Sequence, residues 1–129
     1  MKVTFLLGIK VPLFDLKVAV NDLARCDMAE AVEDAFRYGK IILATTTYNN
    51  DIFPFMREFI NHLTVRNFQN KKIGFIENGS WAPVAVKIMK QMFEKSKNLI
   101  FADTEVKILS AVDEINISEL NALAEEFCE

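Results

Sequence analysis

The chain has 129 residues, a formal net charge of −3 and a hydrophobic content of 51%. This length predicts a single domain spanning residues 1–129, and the composition supplies enough apolar residues for a core. The acidic balance gives no basic surface for nucleic acid, and we expect no membrane partner because no apolar run is long enough to span a bilayer.

Cysteine and histidine usage excludes several further classes of site. The two cysteines, Cys26 and Cys128, are far apart, and His62 is the single histidine. We therefore predict no metal site, no disulfide framework and a reduced, cytoplasmic protein. The apolar start of the chain is broken by Lys10 and lacks a cleavage motif, so we predict no signal peptide. No catalytic triad can be assembled, and His62 is expected at the surface.

The first predicted elements are a short strand over 15–20 and a helix that follows it. Asp27 is the expected N-cap of this helix, with Glu30 three residues on, and Gly39 is its expected C-terminal stop. The continuous apolar run KIILATT, from Lys40, predicts a central parallel strand.

The second half of the chain continues the same alternation. Pro54 and Pro83 are each expected to begin a helix. The predicted apolar face of the first helix holds Phe55, Met56, Phe59, Ile60 and Leu63. That of the second holds Ala85, Ile88, Met89, Met92 and Phe93. Strands are predicted over 71–78 and 105–112. A last helix is predicted with Ser118 as N-cap and Leu120, Leu123, Ala124 and Phe127 inside. Strands alternating with helices indicate an α/β fold, a three-layer, doubly wound and mostly parallel sheet.

Two loops of unusual composition leave neighbouring strands of the predicted sheet. They are TTTYNND, from Thr45, and ENGSWAP, from Glu77. Each combines one large aromatic residue, Tyr48 or Trp81, with small polar residues. In open α/β sheets, ligands bind outside the carboxyl ends of the strands. A flat polar heterocycle needs an apolar surface for stacking and donors and acceptors for its rim. The alternative to a ligand site is that Tyr48 and Trp81 simply cap the edge of the core and that Glu77 only caps a turn.

The stretches TTTYNNDIFPFMREFINHL, IGFIENGSWAP and DLARCDMAEAVEDAFRY resemble the flavodoxin-like domain of the A-type flavoproteins, the flavo-diiron proteins. The resemblance extends from about Gly8 to the C-terminus and implies FMN as cofactor, electron transfer as function and redox proteins as partners. It also implies that the two loops hold the isoalloxazine ring. The implied residues are Thr45, Thr46, Thr47, Tyr48 and Asn49 on one side, and Asn78, Gly79, Ser80, Trp81 and Ala82 on the other.

Two parts of the resembled proteins have no counterpart in this sequence. One is the diiron domain, so metal-centred chemistry is not expected of this chain. The other is the phosphate-binding loop, since the first twenty residues hold one hydroxyl residue, Thr4, and one glycine, Gly8. The sequence thus predicts a flavodoxin-like domain with an altered or truncated N-terminal strand. Residues 1–10 could form a strand or a helix.

The alternative function is that of a truncated protein, which no longer binds FMN tightly and acts as an interaction or oligomerisation module. A sheet without its central strand predicts a homodimer or higher homo-oligomer.

Overall fold

The computed structural model describes residues 21–48, 51–79, 84–108 and 114–127. In chain order the elements are α1 (Met28–Arg37), β1 (Lys40–Tyr48), β2 (Asp51–Ile52), α2 (Pro54–Thr64), β3 (Lys71–Asn78), α3 (Ala85–Met92), β4 (Leu99–Ile108) and α4 (Glu114–Phe127). The strand predicted over 15–20 and the segment 1–10 lie outside the described residues. None of the helices in the described part is long and apolar enough to cross a membrane.

The sheet has the order β2-β1-β3-β4. β1 pairs in parallel with β3, and β3 pairs in parallel with β4. The two-residue β2, which was not predicted, runs antiparallel to the end of β1. The predicted α/β architecture with a mostly parallel sheet is therefore confirmed.

Alternation along the strands sends successive side chains into two separate cores. Odd-numbered residues such as Ile41, Leu43 and Phe75 pack with the buried faces of α1, α2 and α3. Even-numbered residues such as Ile42 and Ile76 pack with α4 on the other face. The sheet is thus the middle of three layers.

Two predicted helix starts are confirmed. Asp27 is the N-cap of α1, and its Oδ1 accepts a hydrogen bond from Ala29 N at 2.9 Å. Pro54 is the first residue of α2, where its fixed φ suits the helix and its missing N–H has no cost. The end of α1 differs from the prediction. Tyr38 is the C-cap in an extended conformation, so the chain passes directly towards β1 and Gly39 is not the stop.

Later boundaries also need correction. β4 begins at Leu99, six residues before the predicted start. A register irregularity around 102–104 interrupts the alternation of its side chains, so the sequence pattern did not reveal the first part of the strand. α3 begins at Ala85, and Pro83 lies outside the described residues. Phe55 is 40% exposed and does not join the buried face of α2.

The start of α4 is also wrong in the prediction. The helix begins at Glu114, so Ser118 lies inside it and is not its N-cap. Asn116 is buried and donates from Nδ2 to Lys107 O at 2.7 Å, which ties the first turn of α4 to the end of β4. The predicted interior positions of this helix are buried as expected.

Candidate functional site

Both predicted loops begin at the same edge of the sheet. Thr45 is the register partner of Glu77, and Thr46 is the register partner of Asn78. β1 and β3 are parallel neighbours, so their carboxyl ends place these four residues side by side. This is the edge at which ligands bind in open α/β sheets.

Thr46 and Asn78 form the accessible part of this edge. Both are half-buried, and within the described residues neither side chain is committed to a hydrogen bond. A hydroxyl and a carboxamide each offer a donor and an acceptor. The pair can therefore satisfy the polar rim of a bound ring.

Thr45 and Glu77 lie on the other face of the same strands, beneath α3. They are only 3% and 1% exposed. Glu77 Oε2 accepts a hydrogen bond from Val86 N at 2.8 Å, in the first turn of α3. In the described part of the chain, the other carboxylate oxygen and Thr45 Oγ1 have no hydrogen-bond partner. Among the described residues these two buried oxygens are thus unpaired, on the face of the strands opposite Thr46 and Asn78.

The end of β1 is shaped by a tight hairpin. Thr47 pairs with Ile52 and Tyr48 pairs with Asp51, so only Asn49 and Asn50 connect β1 to β2. Thr47 Oγ1 also accepts a hydrogen bond from Val84 N at 3.0 Å. The hydroxyl of Thr47 thus links the first loop to the end of the second.

An ion pair holds the hairpin against α2. Arg57 donates from Nη2 to Asp51 Oδ1, which also accepts from Ile52 N at 2.8 Å. These hydrogen bonds, led by the one from Arg57, lower the pKa of Asp51. The contact with Arg57 therefore favours the ionised form of Asp51.

In the second loop, Gly79 follows the last residue of β3, and its N–H donates to Ile108 O at 3.0 Å. This hydrogen bond joins the ends of β3 and β4. Of the predicted site residues, Asn49, Ser80, Trp81 and Ala82 lie outside the described residues. For Tyr48 the structure describes only the backbone, as the last residue of β1.

Two features at this edge were not predicted from the sequence. Glu77 was assigned at most a turn, yet it caps α3 across nine residues of sequence. Phe53 and Phe55 lie at the junction of β2 and α2, with ring centroids 5.6 Å apart. For Glu77, a sequence signal was available at the start of α3. Val84 stands at the N-cap position and its side chain cannot accept a hydrogen bond, so another residue must cap this helix.

His62 lies away from this edge, on α2. Its side chain is 39% exposed, in agreement with the predicted surface position, and Nε2 is 3.7 Å from Glu58 Oε1. Arg66 Nη1 lies 3.2 Å from His62 Nδ1. In the ranges that the structure covers, no three His, Cys, Asp or Glu side chains are grouped as a metal site would require.

Comparisons with known proteins give likenesses of structure only. No protein-family profile matches the chain, and no curated protein matches it. The rubredoxin oxygen:oxidoreductase of Desulfovibrio gigas has a TM-score of 0.78 at 18% identity, over 84% of this chain. Oxidised flavodoxin 1 from Bacillus cereus has a TM-score of 0.75 at 16% identity, over 89% of this chain. The flavodiiron core of Flv1 from Synechocystis has a TM-score of 0.71 at 13% identity, over 84% of this chain.

This chain covers very different shares of the three proteins. This chain spans 27% of the D. gigas oxidoreductase and of the Flv1 core, but 79% of the B. cereus flavodoxin. The match to the flavodiiron proteins is thus to one part of a longer chain. At these identities the likenesses establish the fold: the chain has the flavodoxin-like α/β fold, as its resemblance to the flavodoxin-like domain of the A-type flavoproteins predicted.

Proposed function

We propose that the carboxyl edge of β1 and β3 binds the isoalloxazine ring of a flavin, FMN by the resemblance, and that the chain transfers electrons to separate redox proteins. The observation that carries the proposal is the pair Thr46 and Asn78. They are register partners at the ends of two central strands, and their polar groups are uncommitted within the described residues.

The residues present suit the ring better than the phosphate. Thr46 and Asn78 provide donors and acceptors for the polar rim, and Tyr48 and Trp81 are the stacking residues that the resemblance implies. Each aromatic would contribute about 0.5–1.5 kcal/mol beyond the burial of area. The N-terminus of α3, a potential phosphate site, already receives the carboxylate of Glu77. A bound flavin would supply one- and two-electron transfer.

The first twenty residues hold one hydroxyl residue and one glycine, so we expect them to supply few hydrogen bonds to a flavin phosphate. Each charge-assisted hydrogen bond to a phosphate contributes about 1.5–3 kcal/mol, so losing about three removes roughly 4–9 kcal/mol. That corresponds to about three to six decades in affinity. We therefore propose that the purified protein is largely colourless and that FMN and riboflavin bind weakly with similar affinities.

Variants of the rim residues test the proposal. Asn78→Ala and Thr46→Val should each weaken riboflavin binding about two- to tenfold, since each removes about one hydrogen bond of ordinary strength. Asn61→Ala is the matched control, because Asn61 is exposed and lies in the last turn of α2, outside both predicted loops. If Asn78→Ala and Thr46→Val both bind riboflavin as tightly as the wild type does, the ring lies elsewhere.

A second candidate function is an interaction or oligomerisation module that does not bind FMN tightly. It is favoured by the first twenty residues, which lack a cluster of hydroxyl residues and glycines. A protein that shows no spectral change with millimolar FMN or riboflavin would support this candidate over the first.

A further inference from the structure

The end of β3 carries an asparagine that is followed by a glycine. Asn78 is the last residue of the strand, and with Gly79 it forms the single Asn-Gly pair of the chain. Asparagine is a labile residue, because its carboxamide can react with the backbone nitrogen of the next residue. Glycine has no Cβ, so its nitrogen approaches that carboxamide with little hindrance. Every other asparagine of this chain precedes a residue that has a Cβ.

The reaction between these two residues is a deamidation that consumes water. Gly79 N loses its proton and attacks Asn78 Cγ, so that an N–Cγ bond forms, the Cγ–Nδ2 bond breaks and ammonia leaves with the proton. Water then opens the cyclic imide at either of its carbonyl groups. The products are an aspartate or an isoaspartate, and the isoaspartate has an additional methylene in its main chain. Both products carry a negative charge at neutral pH, which asparagine lacks.

The structure leaves the Asn78 side chain available for this reaction but restrains Gly79. Asn78 is half-buried, and among the described residues its carboxamide has no hydrogen-bond partner to fix its orientation. Gly79 N–H, by contrast, donates to Ile108 O at 3.0 Å. Asn78 is also the register partner of both Thr46 and Ile108, which keeps its backbone extended. The Gly79 nitrogen can therefore release its proton and approach Cγ only after this hydrogen bond breaks.

We propose that Asn78 is a deamidation site whose reaction is controlled by local opening of the ends of β3 and β4, with the hydrogen bond from Gly79 N to Ile108 O as the closed state. The end of a strand opens at a lower cost in free energy than the whole domain does. The modification itself requires no flavin. Its consequence for binding rests on the proposed function: a carboxylate only accepts hydrogen bonds, so the rim of the site loses the donor that Asn78 offers.

Peptide mapping by mass spectrometry measures the reaction. The protein is incubated at mildly alkaline pH, both folded and unfolded in guanidinium chloride, and the loss of the Asn78 amide is followed over time. In the unfolded protein, Asn78 should react faster than Asn61, which precedes a histidine, and Gly79→Ala should slow the reaction at Asn78. In the folded protein, Asn78 should react at least about tenfold more slowly than in the unfolded one, because Gly79 N is held.

Two variants distinguish local opening from unfolding of the whole domain. Asn116→Ala removes the hydrogen bond from Asn116 Nδ2 to Lys107 O, next to Ile108, and should accelerate deamidation. Lys71→Met removes hydrogen bonds at the opposite end of β3 and should leave the rate at Asn78 unchanged. Urea denaturation of each variant gives the acceleration expected if global unfolding were required, about five- to thirtyfold for a loss of stability of ordinary size. We expect Asn116→Ala to exceed its value and Lys71→Met to stay below its own.

Several results would overturn the proposal. Equal rates in the folded and unfolded protein would remove the role of the hydrogen bond, and a folded protein in which Asn78 never reacts would remove the site. Rates in both variants that simply follow their global stabilities would remove the local opening.

Riboflavin titration separates this inference from the proposed function. Asn78→Asp, which reproduces the aspartate product, should bind riboflavin about two- to tenfold more weakly than the wild type. Equal binding would overturn the predicted consequence of the modification. Deamidation at the expected rates in a protein that binds no flavin at all would leave the modification site intact and refute the proposed function.

Discussion

Gly74 of β3 lies beneath the aromatic ring of Phe127 from α4. A Cβ added at Gly74 would lie 2.9 Å from Phe127 Cζ and 3.0 Å from Leu123 Cδ1, inside ordinary van der Waals contact. Both neighbours are buried, so neither can move freely. The absence of a side chain at this position therefore allows α4 to pack closely on the sheet.

We predict that Gly74→Ala lowers the free energy of unfolding by about 1–3 kcal/mol, as overpacking does in other cores. Urea denaturation measures this directly. Gly39→Ala is the matched control, because nothing lies within 4 Å of a Cβ at that position. Equal stability of the two variants would show that α4 can shift without cost.

The ion pair between Asp51 and Arg57 makes the stability of the hairpin dependent on pH. The Arg57 hydrogen bond lowers the pKa of Asp51 in the folded state. A lowered carboxyl pKa gives stability that is complete above the unfolded value, about 3.9, and is lost as the pH falls through the folded value.

We therefore expect Asp51→Asn to reduce the urea midpoint at neutral pH and to approach the wild-type midpoint as the pH falls below about 4. Asparagine can still accept from Ile52 N, so the comparison isolates the charge. Asp103→Asn, at an exposed position of β4, is the control. A difference that persists unchanged to pH 2 would mean that Asp51 acts through shape alone.

At the scale of elements, lysines at the starts of strands cap the ends of two helices. Lys71 donates to Phe36 O and Tyr38 O, both at 2.7 Å, at the end of α1. Lys40 and Lys72 donate to carbonyl groups in the last turn of α4, which has no basic residue of its own. Cations are favoured at helix C-termini because of the helix dipole and the unpaired carbonyl groups.

Lys71→Met should lower the free energy of unfolding by about 1–2 kcal/mol, since hydrogen bonds from a charged donor contribute about 1.5–3 kcal/mol and exposure reduces this. Burial lowers the pKa of Lys71, so part of the gain is offset by the cost of burying the charge. Lys87→Met, on the exposed face of α3, is the control for chemical denaturation. The prediction is wrong if both methionine variants are equally stable.

The sequence predicted those elements whose boundaries depend on residues close together in the chain. Asp27 and Pro54 mark helix starts, and the apolar run from Lys40 marks the central strand. The irregularity of β4 was missed, and its residues form hydrogen bonds with α4, which is distant in sequence. There Glu126 accepts hydrogen bonds from Asp103 N at 2.9 Å and Thr104 N at 3.2 Å. Contacts between residues so distant in sequence leave no periodic signal.

The candidate site shows the same division. The polar residues of both loops could be found from composition and from their place after the strands. The role of Glu77 could not, because its partner Val86 belongs to a helix whose start depends on that contact. Burial of a carboxylate is also invisible in an apolar stretch that reads simply as a strand.

At the scale of the whole molecule, assembly stays a prediction. Within the described residues, the edge of β1 opposite β3 pairs only at Thr47 and Tyr48, with β2. Unpaired strand edges are commonly covered in native proteins. We predict a homodimer, to be measured by light scattering at micromolar and tenfold higher concentrations, with a monomeric flavodoxin as standard. A stable monomer at both concentrations would contradict it.

We propose that the carboxyl edge of β1 and β3 holds a flavin ring, and the most direct test is the emission of Trp81 during titration with FMN and riboflavin. We expect saturable quenching by both flavins, with affinities that agree within about tenfold because we expect the phosphate to add little. Free tryptophan, titrated in parallel, corrects for absorption of light by the flavins. Emission that remains unchanged while flavin binds, or FMN affinity a hundredfold above that of riboflavin, would contradict the proposed flavin site.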